Sequence, residues 1–124
     1  PEAARVVLNA DEALLRRALE NLLSNSVRHN AGPVRIRLRA AVLEDCLRLA
    51  VLDDGAGYPP QVLAALYARE EPENAPHILG LHVVEQIAEG HGGRAVFTQA
   101  VPQGARAVLI LPLHYGGEIQ KPKK

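Results

Sequence analysis

The sequence has no methionine or tryptophan, a single cysteine and a single phenylalanine, and its aromatic residues amount to 3%. The lone Cys46 excludes an internal disulfide and a multi-cysteine zinc site, in keeping with a reducing compartment. With so few rings, the core must be built from Leu, Val, Ile and Ala, and base-stacking recognition of single strands has little to work with. An excess of one charge is also missing. Lys+Arg 14 against Asp+Glu 14 leaves a formal net charge of +0, so no global field recruits nucleic acid or anionic membrane, and no nucleic-acid partner is expected. No apolar run approaches the roughly 18 residues of a membrane span, and no basic-then-apolar leader is present. All the lysines, Lys121, Lys123 and Lys124, lie in the last four residues. Their position rules out a GxxxxGK[ST] phosphate loop and a strand-borne lysine that reaches nucleotide phosphates. A chain that begins at Pro1 and lacks methionine is expected to be an excised piece of a longer protein.

The 124 residues, 48% of them hydrophobic, suffice for one domain, expected over 1–115, with a polar, disordered tail at 116–124. Arg5 to Leu8 is a short β-branched run. Asp11 stands as an N-cap before helix formers from Glu12 to about His29, and Asn30 to Pro33 end that helix. Val34, Ile36, Leu38 and Ala40 alternate with Arg35, Arg37 and Arg39, a strand with one buried and one wet face; a second strand, Leu47 to Val51, follows a turn at Leu43 to Asp45. The wet arginine face implies an antiparallel sheet covered by helices on one side.

Asp53 to Pro60 is a loop, Gln61 to Ala68 a short helix, and Arg69 to His77 an acidic, proline-bearing stretch expected to be mobile. Val83, Val84, Ile87 and Ala88 lie at helical spacing within Leu79 to His91, before the stop at Gly92-Gly93. Ala95 to Gln99 and Arg106 to Leu111 read as a closing hairpin through Pro102-Gln103-Gly104. The order predicts an α+β two-layer sandwich, with helices on one face of a mixed, mostly antiparallel sheet.

Three features could carry chemistry. On the long helix, Asn21, Asn25 and Arg28 share one line, with Leu15, Leu19 and Leu22 to the other side. Amide oxygens suit a magnesium ion that draws its other ligands from water and phosphate, and a guanidinium can hold phosphate; the same stripe also reads as a solvated polar face. Asp53-Asp54-Gly55-Ala56-Gly57 follows a strand, where a carboxylate can accept an exocyclic amine and glycines let the backbone approach a flat ligand; it also reads as a tight turn. Gly80 opens a helix after a loop, a place that favours phosphate but equally one that punctuates a loop. His82 and Glu85 share a helix face without a third ligand and read as packing residues; His91 reads as a cation at a helix C-terminus.

In combination these segments resemble a known family. Leu19 to Arg28 is similar to the N box of sensor histidine kinases, NLLxNAxK or NLLxNAxR. Asp53 to Gly57, preceded by Val51, resembles their DxGxG box, and His77 to Gly93 their GLGLxIVxxIxxxHGG segment. Gly104 and Leu109-Ile110-Leu111-Pro112 resemble the closing glycine and terminal LP, so the likeness runs from about Arg5 to Leu113.

The resemblance implies the Bergerat ATP-binding fold and the catalytic, ATP-binding domain of a two-component kinase, with ATP and Mg2+ as cofactors. Asn25 would coordinate magnesium, Asn21 and Arg28 would line the phosphate side, and Asp53 would receive the adenine amino group. Gly55 and Gly57 would shape the adenine pocket, Tyr58 and Gly104 would also belong to the nucleotide-binding set, and Gly80 and Leu81 would sit at the phosphate end of the lid. Relatives that hydrolyse ATP carry a glutamate base where Asn21 stands; an amide cannot accept that proton, which favours transfer to a protein side chain.

Two departures are Ile78, where the family has the first glycine of GLGL, and a short stretch between Pro60 and Gly80, with Leu66-Tyr67 the nearest match to a phenylalanine-rich box. No histidine has the phosphoacceptor context, so the implied partners are an upstream dimerisation and phosphoacceptor domain and, through the whole kinase, a response regulator. The domain itself is expected to be a cytoplasmic monomer, in a parent whose membrane anchoring the sequence leaves open. The alternatives are a nucleotide-binding regulatory module without kinase activity and an anti-sigma-type serine kinase on the same fold.

Overall fold

A computed structural model describes residues 8–28, 30–69 and 78–122. The strand expected at Arg5 to Leu8 and the mobile stretch ending at His77 lie almost wholly outside the described residues. Asp11 caps the first helix, α1 (Glu12–Arg28), its Oδ1 accepting the Leu14 N–H at 3.0 Å. The core-facing line of α1 is Leu14, Ala18, Leu22 and Ser26, repeating every four residues. The expected line of Leu15, Leu19 and Leu22 is thus rotated: Leu15 and Leu19 are only partly buried at its border.

Strands β1 (Ile36–Leu43) and β2 (Cys46–Asp53) form a hairpin whose two turn residues, Glu44 and Asp45, have φ of 55° and 60°, the double left-handed turn that matches strand twist. After α2 (Pro60–Tyr67), started by Pro60, and α3 (Leu79–Gly90) come β3 (Arg94–Gln99) and β4 (Ala105–Pro112). The sheet order is β1-β2-β4-β3, and every described pairing is antiparallel. The two-layer α+β sandwich expected from the element order is therefore the observed architecture, with no parallel pair among the described strands.

Inward positions Ala107, Leu109 and Leu111 of β4 and Phe97 of β3 lie under α3, whose Leu81, Val84, Ile87 and Ala88 are buried, while β2, with Val51 inward, lies under α1. One expected buried face fails. Leu38, on the inward face of β1, is 62% exposed. It pairs with buried Val51, but β1 is an edge strand lying past the reach of the helices. The tail is likewise not uniformly free. Ile119 packs on the core and the Gln120 N–H donates to Gly90 O at 3.0 Å, so an apolar side chain and a helix-end carbonyl hold part of 116–124 in place.

His91 departs from its expected cationic role. Its ring is buried, Nδ1 lies 2.8 Å from Ile87 O, and Nε2 accepts the Asp11 N–H at 3.0 Å. One nitrogen must donate and the other accept, so the ring is the neutral Nδ1–H tautomer bridging the end of α3 to the start of α1.

Candidate nucleotide site

The end of β2 delivers Asp53 into the interior, where its Oδ1 accepts the N–H of Gly55 at 3.0 Å and of Ala105 at 3.1 Å. The second carboxylate oxygen makes no hydrogen bond among the described residues. Asp53 lines a small cavity together with Asn25, Asn30, Gly57, Tyr58, Val62, Leu81 and Ala105. Gly104 permits this arrangement: with φ of +105°, a Cβ there would stand 1.8 Å from Asp53 O.

The loop after Asp53 is pinned by two amide side chains. Asn30 Oδ1 accepts the Ala56 N–H at 3.0 Å while its Nδ2 donates to Ser26 O at 2.6 Å, so the amide lies where a Cβ on Gly55 would have to be. Gln99 pairs with both backbone groups of Tyr58, accepting its N–H at 2.9 Å and donating to its carbonyl at 2.7 Å. Gly57, at φ +84°, passes close under the same Gln99 amide. Gln103 adds a donor to Asp54 O at 2.6 Å. Tyr58 packs edge-on against Phe97 with ring centroids 6.0 Å apart, and burial, reinforced by the Asp53 charge, pushes its phenol well above the usual range.

On the helical side, Asn25 faces the cavity, and Asn21, one turn earlier, donates through Nδ2 to Gly80 O at 3.2 Å. That bond joins α1 to the first turn of α3. Gly80 is exposed with open space where a Cβ would stand, and among the described residues no side chain caps the N-terminus of α3. Ile78, the residue in place of a glycine, is 1% exposed and anchors the start of α3 in the core. Leu81 is buried in the wall of the cavity.

The folding thus gathers Asn25, Asp53, Gly57, Tyr58 and Leu81 around one cavity, with Gly55 and Gly104 close against its lining residues Asn30 and Asp53, whereas Asn21 and Gly80 bond each other and do not line it. Arg28 is not gathered. It is exposed and its guanidinium bonds Ser24 Oγ at 2.7 Å. The helix line is real, but a long side chain at the last turn has a nearer partner on its own helix. Asn30, Gln99 and Gln103 were not foreseen; no spacing links Gln99 to Tyr58, 41 positions apart. The cavity's volume is only about 10 Å³, no more than one water's worth, so its walls must part to admit a base.

The family model of histidine kinase-, DNA gyrase B- and HSP90-like ATPases matches residues 10–115 of this sequence. The chain belongs to that family. Within it, the chain is 31% identical over 86% of its length to the alginate biosynthesis sensor protein KinB of Pseudomonas aeruginosa, covering 18% of that protein. It is 34% identical over 79% of its length to the sensor-type histidine kinase PrrB of Mycobacterium tuberculosis, covering 23% of it. The crystal structure of the ATP-binding domain of that PrrB superposes with a TM-score of 0.70 at 30% identity, over 88% of this chain and 74% of that one.

The family's Bergerat ATP-binding fold is the two-layer sandwich described above, and the relatives are named as sensor proteins and sensor histidine kinases. The chain spans between about an eighth and a quarter of the length of the curated relatives it matches. No helix among the described residues is long and apolar enough to cross a membrane.

Proposed function

We propose that this chain is the catalytic, ATP-binding domain of a sensor histidine kinase and transfers the γ-phosphoryl group of ATP to a histidine on a separate helical domain. The observation that carries the proposal is Asp53: Oδ1 accepts two backbone N–H groups, and the residue lines the same cavity as Asn25. A carboxylate held in this way accepts a hydrogen bond from an exocyclic amine and repels a keto oxygen, which selects adenine over guanine.

The donor set near Asn25 fits magnesium as it is usually held with nucleotides. Among the described residues no group of three or more His, Cys, Asp or Glu could cage a metal, whereas an amide oxygen leaves most ligands to water and phosphate. When bound, the ion would neutralise phosphate charge. Asn25 would hold it, and Asn21 would keep the first turn of α3 in place so that its N–H groups face the phosphates. Arg28 reaches phosphate only by releasing Ser24. In the transfer, the bond from the γ-phosphorus to its bridging oxygen breaks, an acceptor imidazole nitrogen forms the new P–N bond, and ADP leaves with the bridging electron pair. Asn21 offers no base to activate water, so hydrolysis is not assisted from that position.

A nucleotide-binding module without kinase activity is the second reading, favoured by the nearly closed cavity and by Ile78 at the lid glycine's position. Calorimetric titration with a non-hydrolysable ATP analogue, with and without Mg2+, is followed by phosphotransfer to a supplied histidine-bearing helical hairpin. Magnesium-dependent binding with transfer supports the kinase. Binding without transfer supports the module, and no binding by the folded chain rejects both.

A further inference from the structure

We propose that the outer face of the sheet, turned away from helices and nucleotide site, is a docking surface for an acidic face of a separate partner protein. Alternation along the paired strands places Arg37 and Arg39 of β1, Arg48 of β2, Arg106 of β4 and Arg94 of β3 on this face. No Asp or Glu occupies any outward position on the four strands. The chain as a whole is neutral, so these arginines give the molecule a positive face and leave a matching acidic excess elsewhere.

The arrangement is that of an interface. Register puts Ala50, Val108 and Val96 side by side in the middle row, next to Leu52 and Ile110, and the arginines stand around them. An apolar centre within a rim enriched in arginine and lacking lysine is the composition of protein interfaces. Two hollows indent the rim. One, of about 270 Å³, is lined by Arg35, Arg37 and Leu52 on the strands and by Asp53 and Asp54 at its inner end, beside Val101, which is 94% exposed; the other, of about 430 Å³, is lined by Arg48, Arg94 and Ile110 with Glu44 at its edge. Among the described residues the buried Nε–H of Arg48 has no acceptor, and the Glu44 carboxylate stands 3.7 Å from its Nη2. A partner carboxylate would compete with Glu44 for the outer guanidinium nitrogens of Arg48.

Charge complementarity calls for an anionic partner, and the face itself selects a protein. It has no aromatic ring on which bases could stack or that could anchor in a lipid surface. Four strands of this length offer about 500 Å² to a partner, the small end of the range for specific complexes, which fits a transient, electrostatically steered encounter between separate proteins.

The test titrates the 15N-labelled chain with a glutamate-rich peptide of about 20 residues with interspersed valines, and in parallel with a DNA duplex of about 20 base pairs and with phosphatidylserine vesicles. The peptide is expected to shift the signals of Arg37, Arg39, Arg48, Arg94 and Arg106 and to weaken with salt. Combined Arg39→Glu and Arg106→Glu should lower its affinity about tenfold, while Arg16→Glu with Arg17→Glu on α1, the same change in net charge, should lower it less than about twofold. If the reversals melt early, Arg39→Gln with Arg106→Gln makes the same comparison. Equal losses in the two pairs, tighter binding of DNA or vesicles than of peptide, shifts confined to other faces, or no binding would overturn the proposal.

Discussion

The imidazole of His91 receives the backbone N–H of Asp11 on Nε2 at 3.0 Å, while Nδ1, 2.8 Å from Ile87 O, donates to that carbonyl. One ring thereby closes the C-terminus of α3 against the N-cap of α1, and both helices carry site residues, Asn21 and Asn25 on one and Leu81 on the other. His91→Ala leaves the part-buried Asp11 N–H without its acceptor, leaves Ile87 O with only the backbone N–H of residue 91, and opens a cavity. A loss of about 2 to 4 kcal/mol in urea-unfolding stability is expected, and a loss under about 1 would show that the bridge is not structural.

Gly104 and Gly80 should respond oppositely to the same substitution. Gly104→Ala forces a Cβ to within 1.8 Å of Asp53 O at a φ of +105° and is expected to cost about 2 kcal/mol or more and to lose nucleotide binding. Gly80→Ala meets open space within a helix and should raise stability by about 0.5 to 1 kcal/mol, while obstructing phosphate approach at the start of α3. Thermal melts and calorimetry on the pair separate fold from site.

Asp53→Asn retains an oxygen for the N–H groups of Gly55 and Ala105 but removes the charge that faces the cavity. ATP-analogue affinity should fall by about 1 to 3 kcal/mol with little change in melting temperature. Unchanged affinity would mean that this carboxylate does not read the base.

Asn25→Ala is expected to abolish the magnesium dependence of analogue affinity and to leave adenosine binding in place, because only the phosphate end loses its ligand. Equal losses for adenosine and ATP analogue would place Asn25 in the fold instead.

Glu85, buried on α3, has its carboxyl pushed up to about 7 by burial, with Arg69 pulling it down and Glu89 pushing it up. The folded state therefore holds this proton more tightly than the unfolded chain does. Between the ordinary carboxylate range and pH 7 the native form binds more protons, so stability falls as pH rises through that window and levels off above it. Glu85→Gln should flatten that slope, leaving stability at pH 5 nearly unchanged and raising it at pH 8 by something on the order of 2 kcal/mol. Parallel slopes in the two proteins' melting temperatures would assign the pH dependence to other groups.

Local chemistry carries its own signature, and those parts of the protein were legible without a fold. The N-cap at Asp11, the strand alternation of Arg37, Leu38 and Arg39, the proline start of α2 and the glycine stops follow from backbone sterics and side-chain period, which act over a few residues. Motif order added the family, and with it Asn25, Asp53, Gly57, Tyr58 and Leu81 around one cavity. Longer-range geometry decided the remainder. Whether Leu38 is covered depends on where the helix layer ends, and whether Arg28 faces a ligand or Ser24 depends on which partner is nearest. Gln99 reaches Tyr58, and His91 reaches Asp11, only because antiparallel pairing and helix packing bring distant segments within 3.0 Å. The sequence by itself determined the elements, their order and the chemistry on offer; only the tertiary structure decided which polar groups satisfy one another and which remain free, because hydrogen bonding and burial depend on proximity in space.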